Sequence, residues 1–280
     1  MSRENGRSES SVGANGEAVS REDERSESSK KRAGGAERRH ASADADAPSN
    51  LLEAHPETAY FWGRTIGDGE ATTDGVVVRT NDKDAAELLS AIAGSEDERS
   101  ESSENASGDA ASRAFVGHRR TEREYAHDTS ITRREDSYTV RLHGSIGNRA
   151  AAALGLPFEG DPGGYRLDAL AAYDRQLLRG LLEGCGTVCF KSSSGTVGIS
   201  FVADDRALLE RIATLLDSAD VETPYGEISE TSSGGYWFGI DDEAAPEFGE
   251  WVYQGCEESG LFAPSRRRKL ERSIEEANAY

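Results

Sequence analysis

The sequence predicts an α+β protein of two pseudo-symmetric halves, each ordered helix, strand, strand, helix, strand, strand, helix. Three observations carry this. Two stretches 117 positions apart, FWGRTIGDG at Phe61 to Gly69 and LRGLLEGCG at Leu178 to Gly186, share one form: a helix-like run with glycines four apart, a Gly-X-Gly ending, and a following segment rich in β-branched residues. Gly63 and Gly67, like Gly180 and Gly184, fall on one helical face, because positions i and i+4 are neighbours there. Glycine weakens a helix by about 1 kcal/mol relative to alanine. The structural return is two backbones packed closer than side chains permit. The third observation is spacing: Gly69 to Tyr138 is 69 positions and Gly186 to Tyr236 is 50, and the excess of 19 is the length of a low-complexity tract, Ser95 to Arg113. Without that tract the halves come into register.

The elements follow in order. Residues 1–49 are rich in Ser, Glu, Arg, Gly and Ala and nearly free of large apolar side chains. They are expected to form a disordered tail, since they bury too little to offset the entropy of ordering. The string EDERSESS at Glu22 to Ser29 recurs at Glu96 to Ser103 inside the second tract, which suggests expansion of a solvated linker. The first repeat is expected over 50–154, with a disordered insert at 95–113. It opens on a helix with Pro56 in its first turn or just before it, running to Ile66. Asp74-Gly75 is a hairpin signal between strands near 70–73 and 76–80. Asn81 or Asp82 can cap a helix over 83–93. Strands near 115–125 and 137–143 and a small-residue helix over 145–154 complete the unit.

Residues 155–167, rich in Gly and Pro, read as a linker, and 168–270 as the second repeat. There the expected elements are a helix over 173–183, a hairpin of 186–191 and 196–202, a helix over 204–218 capped near Asp204, strands at 221–229 and 235–240, and a last main helix over 242–254. Residues 271–280 are taken as a C-terminal tail.

Composition bounds the chemistry. The formal net charge is −20, with 52 acidic against 32 basic residues, and only five of the latter are Lys. A carboxylate-rich, lysine-poor surface fits an archaeal protein of an extreme halophile, so the charge says little about partners. Molar salt shortens the Debye length to about 3 Å, and short-range contacts then decide what binds. Three cysteines, no apolar leader and no membrane-length apolar run point to a soluble cytoplasmic protein with reduced thiols and no membrane partner. Cys185 and Cys189 have a C-x3-C spacing, but no nearby His or Cys completes a four-ligand metal set.

The paired motifs, the element order and the duplication together resemble a two-repeat LAGLIDADG protein of the homing-endonuclease fold, over about Thr58 to Leu270. The resemblance implies two motif helices packed through Gly63, Gly67, Gly180 and Gly184 at a pseudo-twofold axis. Two four-stranded sheets would form a saddle over the DNA major groove. It also implies that the acidic residue before each closing glycine holds a catalytic divalent metal. Asp68 has that place before Gly69; Cys185 has it before Gly186. A thiol is a poor Mg2+ ligand, and Glu183, two positions earlier, lies about 200° around a helix of 3.6 residues per turn, so one carboxylate remains of a site needing two. The catalytic candidates are thus Asp68, as remnant metal ligand or as plain turn residue, and Glu183 as an alternative second ligand.

Residues 113–149 carry a local basic excess: His118, Arg119, Arg120, Arg123, Arg133, Arg134 and Arg141, with His127 and His143. In the family these are outer strands whose alternating side chains reach phosphates and base edges. Arginines pairing with Glu122, Glu124, Glu135 and Asp136 are the structural alternative. On the acidic second half Lys191 is nearly the only sheet cation, so a DNA footprint should be lopsided. The expectation is a monomer with an internal pseudo-dimer that binds DNA, or RNA, without cleaving it and has a regulatory or accessory role. Its rivals are a metal-dependent endonuclease, the one case in which Mg2+ is needed, and a protein or small-ligand interaction module.

Overall fold

Helix α1 (Pro56–Asp68) begins where the local chemistry allows it: Pro56 occupies the first turn, His55 Nδ1 accepts from Glu57 N at 3.3 Å, and Thr58 Oγ1 accepts from His55 N at 3.1 Å. These bonds satisfy amides that have no partner inside the helix. The computed structural model describes residues 50–100, 114–125 and 128–280, without the side chains of 95–100 and 122–135. The expected tail 1–49 and residues 101–113 of the expected insert lie outside the described residues.

From α1 the chain enters β1 (Gly69–Thr72) with no intervening loop, then β2 (Gly75–Thr80), α2 (Lys83–Ser100), the long hairpin β3 (Ala114–Tyr125) and β4 (Asp128–His143), and α3 (Ile146–Leu154). The second half repeats this with α4 (Asp174–Cys185), β5 (Gly186–Lys191), β6 (Thr196–Ala203), α5 (Arg206–Asp217), β7 (Ser229–Glu230), β8 (Tyr236–Ile240) and α6 (Ala245–Tyr253). Each half has one antiparallel four-stranded sheet, ordered β1-β2-β4-β3 and β5-β6-β8-β7. Alternate residues of the central strands, Val76, Val78, Val140 and Leu142 in one sheet and Val197, Ile199, Phe201 and Phe238 in the other, are buried. Period-two alternation leaves the opposite face of each sheet uncovered.

The halves meet through α1 and α4. A Cβ on Gly63 would lie 2.4 Å from Leu177 O and 3.0 Å from Gly180 Cα; on Gly67, 2.9 Å from Gly184 Cα; on Gly180, 2.4 Å from Tyr60 O; and on Gly184, 2.8 Å from Gly67 Cα. All four glycines therefore stand where any larger residue would push the helices apart.

Several boundaries differ from the expectations, each for a physical reason. Helix α2 continues through Ser100, so the first six residues of the expected insert are helical. The cap of α5 is Asp205, whose Oδ1 accepts from Ala207 N at 2.9 Å, and not Asp204. The expected strand at 221–229 shrinks to β7 and an isolated bridge, Tyr225 to Ile240. The linker is packed: Gly155 O accepts from Gly164 N and Tyr165 N, and Leu167 and Leu170, in a 3-10 helix (Leu167–Tyr173), are fully buried. The largest correction is at the end. Residues 271–280 are not a tail; a short α7 (Cys256–Ser259) is followed by α8 (Pro264–Ala279), which buries Leu270 and Ser273 and packs against β5, β6 and α6.

Candidate functional site

The two motif ends come together. A Cβ on Gly67 would lie 2.8 Å from Cys185 N, so Asp68 and Cys185 sit side by side at the heads of β1 and β5. Asp68 is exposed. The residue as a whole is open to solvent, but the surrounding protein partly withdraws its carboxyl from water and raises it above the ordinary value, while Arg64, Arg79 and Arg266 pull it back. Cys185 is half-buried, with its sulfur turned inward to donate to Leu181 O at 3.4 Å. Burial pushes the thiol up to about 12, with Asp68 adding to the rise and Arg64 and Arg266 opposing it. At neutral pH it is a neutral thiol, and the thiolate is the metal-binding form.

Glu183 is elsewhere. It is 2% exposed, its Oε2 accepts from Tyr60 O–H at 2.7 Å, and its Oε1 accepts from Ala263 N at 2.9 Å. Burial raises its carboxyl above the ordinary value against the pull of Arg64 and these bonds. As a second metal ligand beside Asp68 it is corrected: it is a core carboxylate that fastens the segment entering α8 to the motif helices. Arg179, 1% exposed, works beside it, donating to Val252 O at 2.7 Å, Leu261 O at 2.8 Å and Gln254 O at 3.1 Å.

The metal that the motif implies does not fit these donors. One hard oxygen ligand faces three guanidinium groups, its neighbour is a protonated thiol, and among the described residues no group of three or more His, Cys, Asp or Glu could hold an ion. Mg2+ requires a near-octahedral set of oxygens.

On the first sheet, register divides the basic candidates. Arg141 is opposite Val77 and Phe115, Arg79 opposite Thr139, and Arg119 opposite Ser137, all on the uncovered face. There Arg79, Arg119 and Arg141 are exposed and Phe115 is 62% exposed. Arg141 Nη1 lies 3.5 Å from where a Gly117 Cβ would be, so the guanidinium lies across a floor with no side chain. His118 and Arg120 have the other parity. Both bond Asp136 Oδ1 at 2.9 Å, and His118 stacks on Tyr138 with ring centroids 4.7 Å apart. These two therefore match the ion-paired alternative rather than an outward saddle contact. Arg123 is opposite Arg133 and Arg134 opposite Glu122, with side chains outside those described.

The second sheet offers less charge. Lys191 Nζ lies 2.5 Å from Asp242 Oδ1, and its stem covers Gly198. The outward Val202 and Trp237, each 43% exposed, pair across β6 and β8. Sequence reasoning missed Arg64, Arg79 and Arg266 as a group, because three separate elements bring them together. Arg64 was visible only as a charged residue inside a motif helix.

Two antiparallel sheets hung from a glycine-packed helix pair, with a motif residue at the head of each first strand, define a LAGLIDADG-type protein. The chain belongs to that family: residues 38–280 match the LAGLIDADG family model described as "Putative archaeal homing endonuclease". Among solved structures it is similar to I-DmoI in complex with DNA and Mn, at 14% identity and a TM-score of 0.40, covering 73% of this chain and 98% of that one. It is also similar to full-length DUF199/WhiA from Thermatoga maritima, at 12% identity and a TM-score of 0.41, covering 81% and 64%. The N-terminal LAGLIDADG domain of DUF199/WhiA matches at 12% identity and a TM-score of 0.40, covering 75% and 92%. No curated protein matches the chain. Among the described residues no helix is long and apolar enough to cross a membrane.

Proposed function

We propose that this protein binds nucleic acid, DNA in the first place, across the uncovered sheet faces and does not cleave it. The observation that carries the reading is the neutral, inward-turned Cys185 in the place of the second motif carboxylate: cleavage at two phosphodiesters needs hard ligands on both sides of the axis, whereas binding needs only the saddle. Exposed Arg79, Arg119 and Arg141 on the first sheet support backbone contact. The single outward cation of the second sheet is tied to Asp242, so the footprint is weighted to the first half. A chain retained for binding suits a regulatory or accessory role in a halophilic archaeal cytoplasm, acting as a monomer.

The test is binding of labelled duplex DNA and RNA by the full chain, from low salt where it stays folded to molar KCl, with Mg2+ present. Salt-dependent binding with the nucleic acid left intact is the expected result. Absence of binding to either polymer at every salt would leave an interaction module as the better reading.

A further inference from the structure

The residues beside Asp68 are a set with chemistry of their own. Arg64, one helical turn before Asp68 on α1, is 2% exposed. Its Nη2 makes one long bond to Arg79 O, 3.4 Å, and its buried Nε makes none. Arg79 stands on the uncovered face of β2, next to Val78, which is opposite Gly69 in the register. Arg266 is delivered from α8: Ser265 N donates to Asp82 Oδ2 at 2.7 Å, while Asp82 Oδ1 caps α2 just beyond the end of β2. Helix α1, strand β2 and helix α8 thus each carry one arginine whose charge is felt at Asp68. Against three positive charges stand the carboxylates of Asp68 and Glu70, the latter 3.8 Å from Arg79, and on the core side the buried Glu183, on which Arg64 also acts.

A buried cation with an unpartnered N–H is costly unless an anion compensates it. A planar guanidinium fork matches the geometry of phosphate oxygens. A divalent cation at the same point would be repelled by all three groups. In the second half the position equivalent to Arg64 is Leu181, so the arrangement is one-sided.

We propose that Arg79 and Arg266, backed by buried Arg64, form a phosphate seat at the motif centre, where guanidinium groups of this chain stand in place of a divalent cation and receive a phosphodiester of the bound nucleic acid. The seat rests on the nucleic-acid reading above. Asp68 is then a brake on binding and not a ligand that promotes it.

The experiment is fluorescence anisotropy of a labelled duplex with the full chain over a KCl series, in EDTA and in Mg2+, beside Mn2+ titration followed by electron paramagnetic resonance. Asp68→Asn should tighten binding several-fold. Arg79→Gln and Arg266→Gln should weaken it several-fold and flatten the salt dependence by about one unit of log-log slope for each phosphate left without its guanidinium. Arg266→Lys, which keeps the charge without the fork, should recover part of the affinity, and thermal melts identify any variant that fails to fold. Should Arg266→Gln not fold, Asp68→Asn and Arg266→Lys decide the matter. EDTA should change nothing, and no Mn2+ should bind. If Arg79→Gln and Arg266→Gln bind like the parent while Arg119→Gln and Arg141→Gln bind weakly, the seat is wrong and the saddle stands. If the parent binds no nucleic acid, both fall. Stoichiometric Mn2+ binding that disappears on Asp68→Asn would restore the site to metal.

Discussion

The two motif helices are built to one plan and use it in opposite directions. At equivalent positions α1 carries Trp62, whose Nε1 donates to Leu51 O at 2.5 Å and ties down the chain that precedes it, while α4 carries Arg179, which ties down the chain that follows. Ile66 of α1 corresponds to Glu183 of α4, which anchors the entry to α8. The polar residues near the end of α1, Arg64 and Asp68, gather at the motif centre. Those of α4 are spent inside the core. The two copies share the glycine seam and differ in the charged residues that flank it.

The largest loss of stability is expected at Arg179. Arg179→Met leaves three carbonyls around α6 and the α8 entry without their donor, and unpaired buried groups cost about 1–3 kcal/mol each with partial relaxation. A loss of about 3–5 kcal/mol in denaturant unfolding is expected. An unchanged midpoint would mean that α8 is not held by the motif helix.

The seam comes next. Gly63→Leu or Gly180→Leu should destabilise by about 1–3 kcal/mol or more through overpacking, since even a Cβ at either position falls 2.4 Å from a backbone oxygen. Equal cost on both helices is the signature of a shared seam; a cost on one side alone would deny the symmetry.

Glu183 makes the stability of the α4 side depend on pH. Its native carboxyl is raised by burial, so the folded protein holds a proton that the unfolded chain has released. The linked stability is full below the ordinary carboxylate pKa and is lost as pH rises through the raised native value. Glu183→Gln should flatten that fall in denaturation midpoints measured from about pH 4 to about pH 8. A slope left intact would assign it to another group.

The smallest effect is expected at residues 101–113. Replacing them by a Gly-Ser linker of half the length should shift stability by less than about 1 kcal/mol, because each doubling of loop length costs about 0.6 kcal/mol. Loss of folding would make the tract structural.

The helix-and-strand order was legible because glycine spacing, Asp-Gly turns and alternating apolar residues are local signals, and the repeat let one half check the other. Helix α8 was equally legible and was missed: Arg267 with Glu271 and Arg272 with Glu276 are ion pairs at i, i+4, but a polar sequence hides its one buried stripe. The split of His118 and Arg120 from Arg119 and Arg141 followed from strand parity once the register with β4 was known. Glu183 and the trio at Asp68 were not legible, since their environment is made by α8 and β2 arriving from distant sequence.

The most direct measurement is to incubate the unmodified full chain with a labelled duplex in high salt, with Mg2+ or with EDTA, and to follow retention and strand integrity in the same samples. Equal retention in both and uncut strands are predicted. Mg2+-dependent cutting that disappears on Asp68→Ala would overturn binding without cleavage and make the protein an endonuclease.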